Sequence, residues 1–216
     1  MKFIKLMNAI LLGMFFLSGC NENPTITSFK DDFNRADISR PWFDTIGRYL
    51  IIKGELNITG AYNHPLWLKK RIGPNVDIEF DAKSNTADGD VKIELFGDGK
   101  SFAHNKGAYV ATGYVFCLGG WKNTKTFIAR RFEHAKNLLH TRKVLAKKGV
   151  YQHWKISSTL KDGTLTLSWY IDGVHVLTLK DSASLYKSGN EYFAFSNWAS
   201  DSWFDNLKIV RTDNSR

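Results

Sequence analysis

The sequence predicts an all-β fold, two antiparallel sheets packed face to face. Three observations carry this. Asn75–Lys83 alternates strictly, with Val76, Ile78, Phe80 and Ala82 on one face and Asp77, Glu79, Asp81 and Lys83 on the other, the period-two pattern of a half-buried strand. The dipeptides Asp162-Gly163 and Asp172-Gly173 are tight-turn signals between alternating runs. Aromatic residues make up 14% of the chain, including seven tryptophans, a composition suited to a thick core between two layers.

The first element is not part of that fold. Lys2 and Lys5 precede an apolar run, Ala9–Leu17, and Leu17-Ser18-Gly19-Cys20 follows. A basic start, a short apolar stretch and small residues have the layout of a secretory signal. The run is shorter than the roughly 20 apolar residues a bilayer-spanning helix needs. The Leu-Ser-Gly-Cys ending resembles the lipobox of bacterial lipoproteins. That resemblance implies cleavage before Cys20, lipidation of its thiol, acylation of its new amino end, and anchoring in the cell envelope (the periplasmic face of the outer membrane or the cell surface). The alternative is an ordinary secretory signal. Residues 20–28, rich in Asn, Thr and Ser with Pro24, read as a flexible tether.

From there the chain is a succession of short strands. Tyr49–Lys53 and Glu55–Thr59 flank Gly54, a hairpin signal. Val91–Phe96 follows the turn at Asp88-Gly89. Then come Tyr109–Leu118, Thr126–Phe132, His153–Leu160, Leu165–Ile171, Val174–Leu179, Glu191–Trp198 and Trp203–Val210, around twelve strands in all. Glu133–Lys148 lacks a clean helical stripe and reads as an excursion between strands. Residues 212–216 are a tail. No later segment is long and apolar enough for a transmembrane helix.

Charge and cysteine content narrow the function classes. The net charge of +9 loses two lysines and no acid with the signal, leaving +7. Outside a membrane this favours anionic surfaces such as lipid headgroups or acidic polysaccharide, and no nucleic-acid motif is present. With Cys20 lipidated, Cys117 is alone, so an internal disulfide and a cysteine-based zinc site are excluded. Cys117 lies in an apolar run and reads as a small buried hydrophobe. His64, His104, His140, His153 and His175 lack metal-ligand spacing.

Several short stretches carry a resemblance over about residues 29–211. They are Asp31-Asp32-Phe33, Gly54-Glu55-Leu56, Val76–Asp81, and Phe193–Trp198 with Trp203–Ile209. Together they resemble the concanavalin A-like lectin/glucanase superfamily, with an end segment similar to laminin-G-like sandwich proteins. The resemblance implies a jelly-roll whose concave sheet binds or cleaves carbohydrate. It also implies a structural calcium between the entry and the last strand, for which Asp32 and Asp205 are the candidates. The alternative for Asp205-Asn206 is a capped turn.

A retaining family of this superfamily carries its acids as Glu-x-Asp-x-Glu on one strand. The matching stretch here is Asn75-Val76-Asp77-Ile78-Glu79. Asn75 stands at the nucleophile position, and an amide has no anionic oxygen with which to attack, so that mechanism is disfavoured although Asp77 and Glu79 remain. Asp77, Glu79 and Asp81 read either as an acid site or as a solvated face balanced by lysines. Glu94 is a second acid candidate, facing away from Val91, Ile93 and Leu95 together with Lys92 and Phe96.

Gly119-Gly120 permits a bend or close ligand approach, after which Trp121 is placed to stack on a sugar ring. Strand alternation pairs Arg130 with His134 on one face and Arg131 with Glu133 on the other. Arg130 with His134 suits a uronic acid, because a guanidinium grips a carboxylate with two parallel hydrogen bonds. Asn197 and Trp198 would add one amide and one ring. The expected function is a lipid-anchored, monomeric protein that binds a polysaccharide on its concave face. The alternatives are a glycoside hydrolase or polysaccharide lyase using Glu94, Glu79 or His134, and a structural envelope lipoprotein.

Overall fold

The computed structural model describes residues 24–38, 40–102 and 109–213. The signal segment and Cys20 lie outside the described residues. Among the described residues, fifteen strands form two antiparallel sheets.

The first sheet runs β13 (Val174–Asp181), β12 (Thr164–Ile171), β11 (Gln152–Lys161), β6 (Val76–Ser84), β15 (Asp201–Arg211), β4 (Glu55–Thr59) and β3 (Tyr49–Ile52). Here β1 (Ser28–Asp31) also pairs with β15. The second sheet runs β10 (Leu139–Thr141), β9 (Lys125–Arg130), β8 (Tyr114–Gly119), β7 (Val91–Gly97), β14 (Tyr192–Asn197), β5 (Leu66–Leu68) and β2 (Trp42–Phe43). The strands missing from the sequence reading are short: β1, β2, β5 and β10 have two to four residues, too few to show a period. Among the described residues, 133–148 contains β10 and turns but no helix.

Inward-facing residues of both sheets meet in one aromatic core. Val76, Ile78, Phe80 and Ala82 are buried, as their alternation predicts. Phe80 stacks on Trp154 at 5.0 Å, Trp154 meets Trp169 at 4.7 Å, and Phe195 meets Phe204 at 4.4 Å. Burying a ring of this size contributes about 2–3 kcal/mol, so these layers hold each other.

Two expectations need correction. The chain is tied down before residue 29: Thr25 bridges Arg71, Ile26 N–H donates to the Arg71 carbonyl at 2.9 Å, and Ile26 packs on the core. Phe96 points inward rather than out. It adopts φ 57° beside an irregularity in the β7–β14 register, and is fully buried. The kink shifts the alternation by one place, which periodicity alone does not reveal.

Candidate functional site

The outer face of the second sheet carries a cleft of about 570 Å³. Its floor is β7, the central strand of seven. Val91, Ile93 and Leu95 enter the core, which turns Lys92 and Glu94 to the opposite face, with Asp90 just before them. Val115 and Phe127 on the neighbouring strands add an apolar floor.

Glu94 is 3% exposed. Its Oε1 accepts from Thr112 N–H at 2.8 Å, Gly113 N–H at 2.8 Å and the Thr112 hydroxyl at 3.0 Å, while Oε2 accepts from the Tyr109 hydroxyl at 2.7 Å. Burial pushes the carboxyl up to about 7, against the downward pull of those donors. Burial, followed by the Glu94 charge, likewise raises the Tyr109 phenol.

Lys92 lies alongside. Its Nζ donates to Asn63 Oδ1 and Glu133 Oε2, each at 2.9 Å, and sits 3.2 Å from Asp90 Oδ1. Burial opposes its charge, but the two carboxylates overcome that and raise its pKa. A buried ammonium is tolerable only with such partners. Cys117 Sγ contacts Asp90 Oδ1 at 3.6 Å, and burial, then the Asp90 charge, holds its thiol well up. It is therefore an inert small side chain, not a nucleophile.

Trp121 follows the two glycines on the β8–β9 turn. The backbone is left-handed at Trp121 (φ 49°), Lys122 (φ 57°) and Asn123 (φ 58°), each costing roughly 1–2 kcal/mol for a non-glycine residue. Asn123 clamps the turn: its Nδ2 donates to the Ala146 carbonyl at 2.8 Å and its Oδ1 accepts from Ala146 N–H at 3.0 Å. The strained turn holds Trp121 against Phe127 (4.8 Å) and His134 (5.8 Å) with 37% of its surface exposed. Trp198, equally exposed, stands edge-on to Tyr62 at 5.2 Å, and its backbone N–H donates to Asp90 Oδ2 at 2.5 Å. Asp90 N–H in turn donates to the Gly119 carbonyl. Asp90 thus lies between the two tryptophan-bearing segments.

The other expected site residues are sorted differently. Glu94, Trp121, His134 and Trp198 line the cleft. Arg130 does not: it reaches Asp181 Oδ2 at 2.8 Å and the Ala183 carbonyl at 2.8 Å. β9 ends at Arg130, so alternation stops there. Arg131 takes φ 66°, and Arg131, Phe132, Glu133 and His134 all face the cleft. Asn197 is fully buried. Its Oδ1 accepts from Ala61 N–H at 2.9 Å and its Nδ2 donates to the Ile58 and Ser200 carbonyls at 2.8 Å, a structural knot with no face free for a ligand.

Glu79 and Asp77 belong to the other sheet, where both pair with Lys155, at 3.3 and 3.2 Å. Asn75 Oδ1 there accepts from Leu160 N–H. That stretch is a solvated outer face, remote from the cleft.

The two calcium candidates, Asp32 and Asp205, make local backbone contacts. Asp32 Oδ1 caps Asn34 N–H at 3.1 Å and Asp205 Oδ1 caps Asn206 N–H at 2.7 Å. Asp205 is raised by burial and by the charges of Glu55, Asp81 and Asp32. Asp31, next to Asp32 in the chain, is spent on Arg35, Trp42 Nε1 and Phe33 N–H. Among the described residues no three His, Cys, Asp or Glu side chains gather as a metal set. The residues missed in the sequence are Asp90 and Tyr109, while Arg131 and Glu133 were assigned to the face away from Arg130 and His134. Asp90-x-Lys92-x-Glu94, charges alternating through an apolar strand, was the signal for the first. Nothing local marks Tyr109.

No family model matches the chain, and no curated protein matches it. Solved structures do. An alginate lyase, Aly36B, is similar over 87% of this chain and 98% of its own, at 13% identity and a TM-score of 0.52. A laminarinase from Flavobacterium sp. UMI-01 matches over 85% and 99%, at 14% identity and a TM-score of 0.57. A carbohydrate-binding module from Bacillus subtilis matches over 86% and 99%, at 14% identity and a TM-score of 0.51. In its fold, the chain is a two-sheet antiparallel jelly-roll sandwich similar to these solved structures.

Proposed function

We propose that this protein binds a polysaccharide segment in the concave cleft, on a domain held to the bacterial envelope through lipidated Cys20. One observation carries the reading. Of the eight large apolar side chains exposed among the described residues, four (Val110, Trp121, Phe132 and Trp198) border this cleft. Exposed rings beside a floor of fixed polar groups suit a sugar, which offers an apolar ring face and directional hydroxyls. The similar solved structures include a carbohydrate-binding module, which is consistent with this use of the fold.

The test is affinity electrophoresis of the soluble fragment from residue 21 through gels containing different polysaccharides. Retardation by at least one polymer, lost in Trp121→Ala and Trp198→Ala, supports the reading. Wild-type migration unchanged in every gel overturns it and favours a structural envelope protein.

Glu94 supports a second reading, polysaccharide cleavage. A carboxyl held at about 7 by burial can both give and take a proton near neutral pH, as general acid–base catalysis requires. New reducing ends, or the ultraviolet absorbance of an unsaturated uronate, would report hydrolysis or elimination. Cleavage surviving in Glu94→Gln would overturn Glu94 as the proton-transfer group.

A further inference from the structure

We propose that the polymer is acidic, and that Arg131 holds a uronate carboxylate of the chain in the cleft. The proposal rests on the glycan-binding reading above and narrows its substrate class.

The argument is an account of which charges are already satisfied. Asp90 and Glu133 both engage Lys92, and Lys92 is saturated by them and by Asn63. Glu94 accepts four hydrogen bonds. These floor charges are committed to one another and to the fold. Arg131 is not. It is exposed, it borders the cleft, and no carboxylate or carbonyl engages its guanidinium among the described residues. Its backbone is fixed, because Arg131 N–H donates to the Gly113 carbonyl at 3.0 Å. Arg130 supplies the contrast. One residue earlier, it is paired with Asp181 outside the cleft. The left-handed φ of 66° at Arg131 sends the second arginine the other way.

The remaining uncommitted charges bordering the cleft are Lys122, beside Trp121, and the exposed Asp88. They are opposite in sign and neither carries a guanidinium, which leaves Arg131 as the one uncommitted planar donor fork bordering the cleft among the described residues. A guanidinium presents a planar fork of donors that matches a carboxylate with two parallel bonds, which a neutral hydroxyl cannot replace. Gly113, whose carbonyl holds Arg131, also donates its N–H to Glu94. A sugar gripped at Arg131 would therefore lie close to the Glu94–Tyr109 pair.

The test compares the retention of four polymers: polygalacturonate, the same polymer with its carboxyl groups reduced, laminarin and dextran sulfate. Polygalacturonate should bind, and carboxyl reduction should weaken it at least about tenfold, the loss of a charge-assisted hydrogen-bond pair. Arg131→Gln and Arg131→Lys should show the same loss on polygalacturonate, the lysine because it keeps the charge without the fork. Arg130→Gln should bind as wild type. Equal retention of the reduced and acidic polymers overturns the proposal while leaving the glycan reading intact. So does full affinity in Arg131→Lys, or dextran sulfate binding as tightly as polygalacturonate, either of which marks attraction by charge alone. Retention of none of the four by wild type overturns this proposal, and absence of binding across the wider panel overturns the glycan reading too.

Discussion

Glu133 reaches across the cleft-bearing sheet to Lys92, with Oε2 2.9 Å from Nζ. Glu133 follows β9, whereas Lys92 is on β7, and β8 lies between them. The ion pair therefore pins the segment bearing Arg131, Phe132 and His134 over the floor, and that segment forms one wall of the cleft.

Removing the ammonium should unlatch that wall. Lys92→Met leaves the half-buried carboxylates of Asp90 and Glu133 without their shared counter-charge. Breaking a buried pair in this way typically costs about 3–5 kcal/mol. Urea denaturation should show that loss, and adding Glu133→Gln to the same protein should recover part of it. Unchanged stability in Lys92→Met would mean that water, not protein, solvates these carboxylates.

Asn197→Ala should also destabilise, for a different reason. The amide satisfies Ala61 N–H and the Ile58 and Ser200 carbonyls in a fully buried position, and each group left unpaired costs about 1–3 kcal/mol. The folded fraction of this variant should bind its ligand as tightly as wild type. Ligand affinity falling with no loss in melting temperature would return Asn197 to the binding face.

These two residues mark how far the sequence could be read. Strict alternation in 75–83 identified the buried face of β6 without error, because a half-buried strand exposes every second residue to water. Glu94 was legible because a lone carboxylate among Ile93 and Leu95 must leave the core. Periodicity does not say which sheet has the concave outer face, so Asp77 and Glu79 looked as eligible as Glu94. Nor does it say where a strand stops. Arg130 and Arg131 exchanged roles because β9 ends between them and Arg131 enters the left-handed region. Asn197 failed for a third reason: an amide at a strand end reads alike whether it faces solvent or ties three backbone groups together.

The exposed tryptophans should separate binding from stability. Trp121 and Trp198 each keep 37% of their surface exposed, whereas Trp67, Trp154 and Trp169 are fully buried. Trp121→Ala should lower affinity for the bound polymer at least about tenfold, since covering a large apolar side chain contributes about 1.5–3 kcal/mol. Its melting temperature should fall far less than that of Trp154→Ala, a core truncation costing about 3–5 kcal/mol. A Trp121→Ala variant that melts as low as Trp154→Ala with affinity intact would make that ring a packing residue.

Glu94 should make the protein less stable as pH rises through neutrality. Its carboxyl lies at about 7 in the folded chain and at about 4.3 when unfolded, so between those values the folded state binds more protons. Stability falls with pH wherever that holds. The contribution is fully present below the unfolded value and is lost progressively as pH rises towards 7, by roughly 4 kcal/mol in all. Glu94→Gln removes the titration while keeping an oxygen for Thr112 and Gly113 N–H, and its amide can donate to the Tyr109 oxygen. The variant should therefore melt higher than wild type at pH 8, with the advantage shrinking towards pH 5. Tyr109 gives the result a functional consequence: with Glu94 ionised its hydroxyl proton points at Oε2, and with Glu94 neutral that proton is free to turn towards the cleft. Parallel melting curves for the two proteins from pH 5 to pH 8 would show that Glu94 is ionised throughout, and would remove it as a proton donor near neutral pH.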